Sequence, residues 1–148
     1  MKRLILLVSA LAMVASACGS GETKGMQSAE TDLGSVLVDG SGFTLYVFLR
    51  DEPGTSSCID DCAVAWPPYR TDELGVSGAG IDAALVGEII RPDGDRQVTY
   101  NGKPLYRYAA DAPGGIAGQG VNDVWFVIGV DGNAVRVPQP EVFDRSDY

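Results

Sequence analysis

Short apolar runs alternate with turn-forming residues from about residue 35 onward. Residues 35–39 read SVLVD, glycine and serine fill residues 40–42, and residues 43–49 read FTLYVFL. Runs of this length, alternating in polarity and bounded by glycine, predict β-strands joined by hairpin turns. The pattern returns in GEIIRP, RQVTY, KPLYRYA, VWFVIGV and AVRV, which are separated by DGD, NG and DGN. It therefore predicts an all-β protein.

The turn residues sharpen this prediction. Asn101-Gly102 is the strongest hairpin signal, because a type I′ turn needs positive φ at both central residues. The chain has 19 glycines and 8 prolines, which favour tight turns over long helices. Helix is expected only as one or two short turns, at residues 59–65 and 82–86. The expected architecture is one small β-sandwich or partly closed barrel.

The β region also repeats. Residues 36–54 align with residues 98–114, and each copy is followed by a loop and a tryptophan, Trp66 in the first and Trp125 in the second. A single hairpin cannot bury its apolar face, whereas two packed hairpins can. We therefore expect one domain over residues 34–148, built from hairpin-based repeats at about 35–69 and 97–130.

The N-terminus has the pattern of a bacterial lipoprotein signal peptide. Lys2 and Arg3 precede an apolar run, and small residues at positions 15–17 lead to Cys18. The run is about fourteen residues long, shorter than the roughly twenty that a spanning helix needs. We predict that residues 1–17 are removed, that Cys18 is lipidated and that residues 18–33 are a flexible tether. The domain would then lie outside the cytoplasm, anchored by lipid to a bacterial membrane.

Charge and composition exclude several function classes. The net charge is −9, and loss of Lys2 and Arg3 with the signal takes it to −11, which argues against a nucleic-acid partner. The chain has no histidine, which excludes a conventional serine triad. It also lacks a P-loop and a G-x-S-x-G elbow. No catalytic residue, metal site or cofactor is predicted, and the protein is expected not to be an enzyme.

Two of the three cysteines form a C-x3-C pair, Cys58 and Cys62. In an exported protein the favoured interpretation is a disulfide, which would close a ring of about five residues and contribute roughly 2 kcal/mol. The alternative is a redox-active or copper-binding pair. Met26 is the only methionine outside the signal peptide, so few soft copper ligands are available.

Each repeat contains a Y-x-(F/W/Y)-x-x-D motif, and these motifs carry a family resemblance. The first comprises Tyr46, Phe48 and Asp51; the second comprises Tyr106, Tyr108 and Asp111. Together with the cysteine pair, Trp66-Pro67-Pro68 and Gly118-Gln119-Gly120 before Trp125, the chain resembles the secreted-repeat lipoproteins defined by this motif. The resemblance implies exported, lipid-anchored bacterial proteins without an established biochemical activity.

The motif residues have two interpretations each. Tyr46 and Phe48 share one face of a strand, as do Tyr106 and Tyr108, so core packing competes with an exposed platform for sugar or a planar cofactor. Asp51 and Asp111 each precede x-Pro-Gly, which favours a structural turn over an acid/base pair or a cation site. Trp66 and Trp125 are core candidates, with a ligand or partner surface as the alternative.

The sequence as a whole favours a lipid-anchored cell-envelope binding or interaction module, whose partner is an envelope protein or a glycan. The alternative is a redox or copper-linked extracytoplasmic protein that uses Cys58 and Cys62. A structural disulfide stays oxidised, whereas a working pair cycles.

Overall fold

The computed structural model describes residues 25–74 and 77–136. The predictions for the signal peptide and for Cys18 lie outside these residues. Within the described ranges, no helix combines the length and apolar character needed to cross a membrane.

The secondary structure of the described residues is mostly short antiparallel strand. The strands are β1 (Gln27–Thr31), β2 (Gly34–Val38), β3 (Tyr46–Phe48), β4 (Val86–Ile90), β5 (Arg96–Tyr100), β6 (Lys103–Pro104) and β7 (Trp125–Val127). Helical segments are α1 (Asp61–Ala65) and three 3₁₀ turns, Thr71–Glu73, Ala83–Leu85 and Val121–Asp123. The strands form three small sheets, β1-β2, β3-β7 and β4-β5-β6. The all-β prediction is confirmed, and α1 falls in the first segment expected to be helical.

Each repeat opens with a long hairpin. In β1-β2, Gln27 pairs with Val38 and Thr31 with Gly34; in β4-β5, Gly87 pairs with Thr99 and Ile90 with Arg96. Asn101 and Gly102, which turn the chain into β6, have φ of 50° and 72°, as the predicted type I′ turn requires. Because β1 pairs with β2 and β4 pairs with β5, the structural repeats extend one strand before the expected starts at about residues 35 and 97.

The predicted tether over residues 18–33 also needs correction. Met26 is fully buried, and residues 27–31 form β1 instead of a flexible segment. The strand escaped prediction because QSAET has no apolar alternation; backbone pairing with β2 holds it, and Ser28 N donates to Ala79 O at 3.1 Å. The folded domain thus begins by Met26.

Two hydrophobic clusters lie on opposite faces of the central strands. Neighbouring residues of β3 point in opposite directions, so Val47 belongs to the first cluster and Tyr46 to the second. The same alternation separates Leu105 from Tyr106 in the second repeat. The first cluster contains Met26, while the second contains the tryptophans and Cys58. Because the central strands are covered on both faces, Tyr46 and Tyr106 lie inside the protein, whereas Phe48 and Tyr108 are half-buried.

Backbone hydrogen bonds join the two repeats about a local pseudo-twofold axis. Tyr46 N donates to Tyr106 O at 2.8 Å, and Tyr106 N donates to Tyr46 O at 3.0 Å. β3 of the first repeat pairs with β7 of the second, with Phe48 opposite Trp125. Neither repeat completes its own pairing, which explains why both share one domain.

Candidate functional site

The motif tyrosines and aspartates bond across the repeats, not within them. The hydroxyl of Tyr46 donates to Asp111 Oδ2 at 2.5 Å, and that of Tyr106 donates to Asp51 Oδ2 at 2.6 Å. The other oxygen of each carboxylate accepts a backbone N–H six residues on: Ser57 N at 2.7 Å and Ala117 N at 2.9 Å. Each aspartate therefore holds its own loop and the partner repeat's strand together. Structural use of both aspartates is the interpretation that this geometry favours.

Burial and the nearby carboxylates change the acidity of the tyrosines. Desolvation, followed by the hydrogen bond to Asp111, raises the pKa of Tyr46 well above its usual value. Desolvation and the bond to Asp51 raise the pKa of Tyr106 in the same direction. Both hydroxyls thus stay protonated and act as hydrogen-bond donors at neutral pH.

Four rings stack in an aromatic column, which we define as Phe48, Trp125, Trp66 and Tyr108 in that order. The centroid separations are 4.2 Å, 3.9 Å and 4.3 Å, and the two indoles are inclined by only 2°. Rings of the first and second repeats alternate along the column. Tyr46 and Tyr106 meet the indoles of their own repeats edge-on, at 5.4 Å and 5.1 Å.

Burial decides between the two interpretations of these aromatic residues. Tyr46 and Tyr106 are fully buried, while Trp66 and Trp125 are 5% and 3% exposed. Tyr46 and Tyr106 are packed in the core, whereas Phe48 and Tyr108, which share their strand faces, are half-buried. The interpretation of the two tryptophans as a ligand or partner surface is wrong, because their rings stack on each other inside the second cluster.

The predicted disulfide between Cys58 and Cys62 is present, and Cys58 is fully buried. Two exposed apolar side chains flank the disulfide: Ile59 lies in the loop that it closes, and Val64 lies in α1 just after Cys62. Asp60, just before α1, has φ 51° and ψ −127°, a conformation that costs a non-glycine residue free energy, and its side chain makes no capping bond.

A buried arginine, Arg91, anchors this loop. The Arg91 guanidinium donates to Ser56 Oγ at 2.6 Å, to Gln97 Oε1 at 2.8 Å and to the Cys58 carbonyl at 2.8 Å. Ser56 Oγ also lies 2.7 Å from the Tyr106 hydroxyl, so the network reaches the motif. The second repeat has Ile116 where the first has Ser56, and Ile116 packs on the second cluster. A solitary arginine in GEIIRP gave no sequence signal for this role.

A cleft of about 200 Å³ lies beside the first motif. Its walls are residues 47–49 and 51–53 on one side and residues 101–104 of the β5-β6 hairpin on the other. The sequence predicts the turn at residues 101–102, but no local pattern indicates that this turn faces the motif loop. Across the described ranges, no group of three or more His, Cys, Asp or Glu side chains is arranged to hold a metal ion.

Comparison with known proteins gives one family. The family described as a secreted repeat of unknown function matches residues 27–70 and again residues 87–128. The two matches begin with β1 and within β4, which agrees with the structural repeats. No curated protein and no solved structure matches the chain.

Proposed function

Since the chain belongs to the family of secreted repeats of unknown function, we propose that it is a lipid-anchored envelope module that binds a partner without catalysing a reaction. The family places the protein outside the cytoplasm. The observation that carries the proposal is the reciprocal bonding of Tyr46 with Asp111 and Tyr106 with Asp51. Because of these bonds, the tyrosine hydroxyls and aspartate carboxylates of both motifs join the two repeats, which favours a structural role for them over a catalytic one.

The surface around the disulfide supports an interaction role. Ile59 and Val64 are large apolar side chains left in solvent, and the acidic residues Asp60 and Asp61 lie between them. Exposed apolar residues bordered by charge are typical of interaction surfaces. The disulfide and the bond from Arg91 to the Cys58 carbonyl fix the backbone of this loop, so it would meet a partner with little loss of conformational entropy.

The position of Met26 supports a particular orientation on the membrane. Seven residues lie between Cys18 and Met26, so a lipid on Cys18 would lie within roughly 28 Å of the folded domain, the reach of eight extended chain steps. Met26 packs in the first cluster, on the face opposite the aromatic column and the disulfide. An anchor at Cys18 would therefore favour presenting the disulfide face away from the bilayer.

Metabolic labelling with a clickable palmitate analogue tests the anchor. We expect label on the wild-type chain and on Cys62→Ser, the matched cysteine control, but none on Cys18→Ser. Label that persists in Cys18→Ser, or is missing from the wild-type chain, would overturn the anchoring proposal.

A redox titration with thiol trapping tests the binding role against the redox alternative. Full burial of Cys58 supports a structural disulfide, because an attacking thiol needs solvent access. Met26 packs on the opposite face from Cys58 and so offers that pair no copper ligand. We expect the pair to remain oxidised below about −300 mV. Reduction at a milder potential, or a copper(I) adduct that disappears in Cys58→Ser, would favour a redox or copper-linked protein instead.

A further inference from the structure

A backbone hydrogen bond joins the two walls of the cleft beside the first motif at one end. Gly54 N, just after the motif loop, donates to Gly102 O in the turn of the opposite hairpin at 3.2 Å. The second repeat repeats this tie, with Gly114 N donating to Gly42 O at 2.8 Å. This backbone hydrogen bond is therefore common to both repeats, and the two repeats differ only in the residues that surround it.

Two differences distinguish the first repeat at this place. A carbon added at Gly42 would touch Pro113 at 3.7 Å, whereas one added at Gly102 would meet no atom within 4 Å. The motif loop of the first repeat carries Glu52, while the second repeat has Ala112 at the aligned position. The site of this hydrogen bond beside the first motif is thus more open and more acidic than the equivalent site beside the second motif.

The lining residues of the cleft combine negative charge with apolar surface. Glu52 contributes a carboxylate, and Phe48 is the terminal ring of the aromatic column. Asp51 adds a second negative charge, although both of its oxygens are bonded to Tyr106 and Ser57. Pro53 and Pro104 add rigid apolar surface. Lys103 also lines the cleft, but its ammonium group donates to the Gly132 carbonyl at 2.8 Å. A cation placed between a ring and carboxylates is favoured by both the π-system and Coulomb attraction.

The protein itself uses this chemistry elsewhere. The Arg107 guanidinium lies 5.0 Å from the centre of the Tyr69 ring and forms ion pairs with Asp39 and Glu73. A planar guanidinium suits such a place because it stacks on a ring and offers a fork of donors to carboxylates. The cleft presents a related set of groups, the Phe48 ring and the Glu52 carboxylate, while the Asp51 carboxylate, already bonded to Tyr106 and Ser57, adds negative charge without a vacant oxygen.

We propose that the cleft formed by residues 47–53 and 101–104 binds an arginine side chain presented by a basic partner protein. This rests on the proposed role as a binding module and names the chemistry of its partner. The volume of about 200 Å³ suits one long side chain. The net charge of −9 would also steer a basic partner toward the domain.

The test is an NMR titration of the ¹⁵N-labelled, lipid-free Cys18→Ser chain with Nα-acetyl-arginine methylamide. The control ligand is the citrulline analogue, which has the same shape without the charge. We expect amide shifts at Phe48, Glu52 and Gly102 with the arginine probe and at least about fivefold weaker binding of citrulline, the size of an exposed-to-partly-buried charge contribution. Glu52→Gln should weaken arginine binding by a similar factor.

Asp32→Asn is the matched control variant, because Asp32 is an exposed acid in the β1-β2 turn, outside the cleft. It should leave the arginine titration unchanged. Equal binding of citrulline, shifts spread over acidic residues throughout the domain, or indifference to Glu52→Gln would overturn the proposal. These outcomes are independent of lipid labelling at Cys18, so failure of the cleft and failure of the anchor are distinguishable.

Discussion

The bonds that cross between the repeats make a prediction that the linear motif does not. Tyr46 and Asp51 belong to one motif, yet Tyr46 bonds to Asp111 of the other. We therefore expect Tyr46→Phe and Asp111→Ala to be energetically coupled, whereas Tyr46→Phe and Asp51→Ala should be additive. The two double-mutant cycles share one substitution, so the second serves as the control for the first.

The expected loss of stability in Tyr46→Phe follows from the negative charge of the Asp111 carboxylate, which accepts the hydrogen bond. A hydrogen bond to an ionised group contributes about 1.5–3 kcal/mol, and removing the hydroxyl leaves a carboxylate oxygen without its buried donor. At about 4 °C per kcal/mol for a domain of this size, Tyr46→Phe should lower Tm by roughly 6–12 °C. We expect a coupling energy of about 1–2 kcal/mol for the cross-repeat pair and no more than about 0.5 kcal/mol for the pair within the motif.

Urea unfolding of the lipid-free Cys18→Ser chain, followed by circular dichroism, gives the free energies for both cycles. The reciprocal pair, Tyr106 and Asp51, should show the same coupling. Stronger coupling of Tyr46 to Asp51 than to Asp111 would contradict this prediction, because the motif would then act within one repeat.

Three further predictions concern pH, backbone strain and the buried cation. The pKa values of Tyr46, Tyr69 and Tyr106 are raised above 10.0 by burial, that of Tyr69 to about 12. These three tyrosines contribute fully to the stability of the fold below pH 10, and their contribution falls as the pH rises above 10, because the tyrosines of the unfolded chain ionise first. The urea midpoint should therefore be lower at about pH 11 than at about pH 9. An unchanged midpoint would contradict this prediction. Asp60→Gly should stabilise the domain by about 1 kcal/mol in the same assay because it relieves the positive φ, whereas Asp60→Asn, which keeps a side chain there, should gain less. Arg91→Ala should cost about 3–5 kcal/mol because it strands buried partners, and a loss below about 1 kcal/mol would show that the network is dispensable.

Local sequence patterns predict those strands in which apolar and polar residues alternate and those turns that contain glycine. The hairpin at Asn101-Gly102 and the buried position of Tyr46 follow from such short-range patterns. β1 does not, because its residues are polar and its place is set by pairing with β2. The cross-repeat bonds were also out of reach, since 65 positions separate Tyr46 from Asp111 and nothing local selects Asp111 over Asp51. The sequence showed that a tyrosine tip needs a partner, but only the packing of the repeats identifies it.

The pseudo-twofold arrangement separates residues that build the fold from those that distinguish its halves. The tyrosines, aspartates and tryptophans occur in both repeats and contact each other across the axis, so their roles are accounted for by folding. The disulfide and the contact between Arg91 and Ser56 occur beside the first motif alone among the described residues. Glu52 in the cleft has alanine as its counterpart.

Selection for folding alone would not require these differences, because the second repeat folds with Ile116 and Ala112 at the matching positions. Glu52→Ala makes the first repeat resemble the second at the cleft and removes no hydrogen bond that Asp51 makes to Tyr106 or Ser57. We expect this variant to keep its free energy of unfolding within about 0.5 kcal/mol of wild type, as surface changes usually do, while its binding of the arginine probe weakens by at least about fivefold. If Glu52→Ala instead lowers the free energy of unfolding by more than this, Glu52 stabilises the fold. The difference between the repeats at this position would then be no evidence for a binding role.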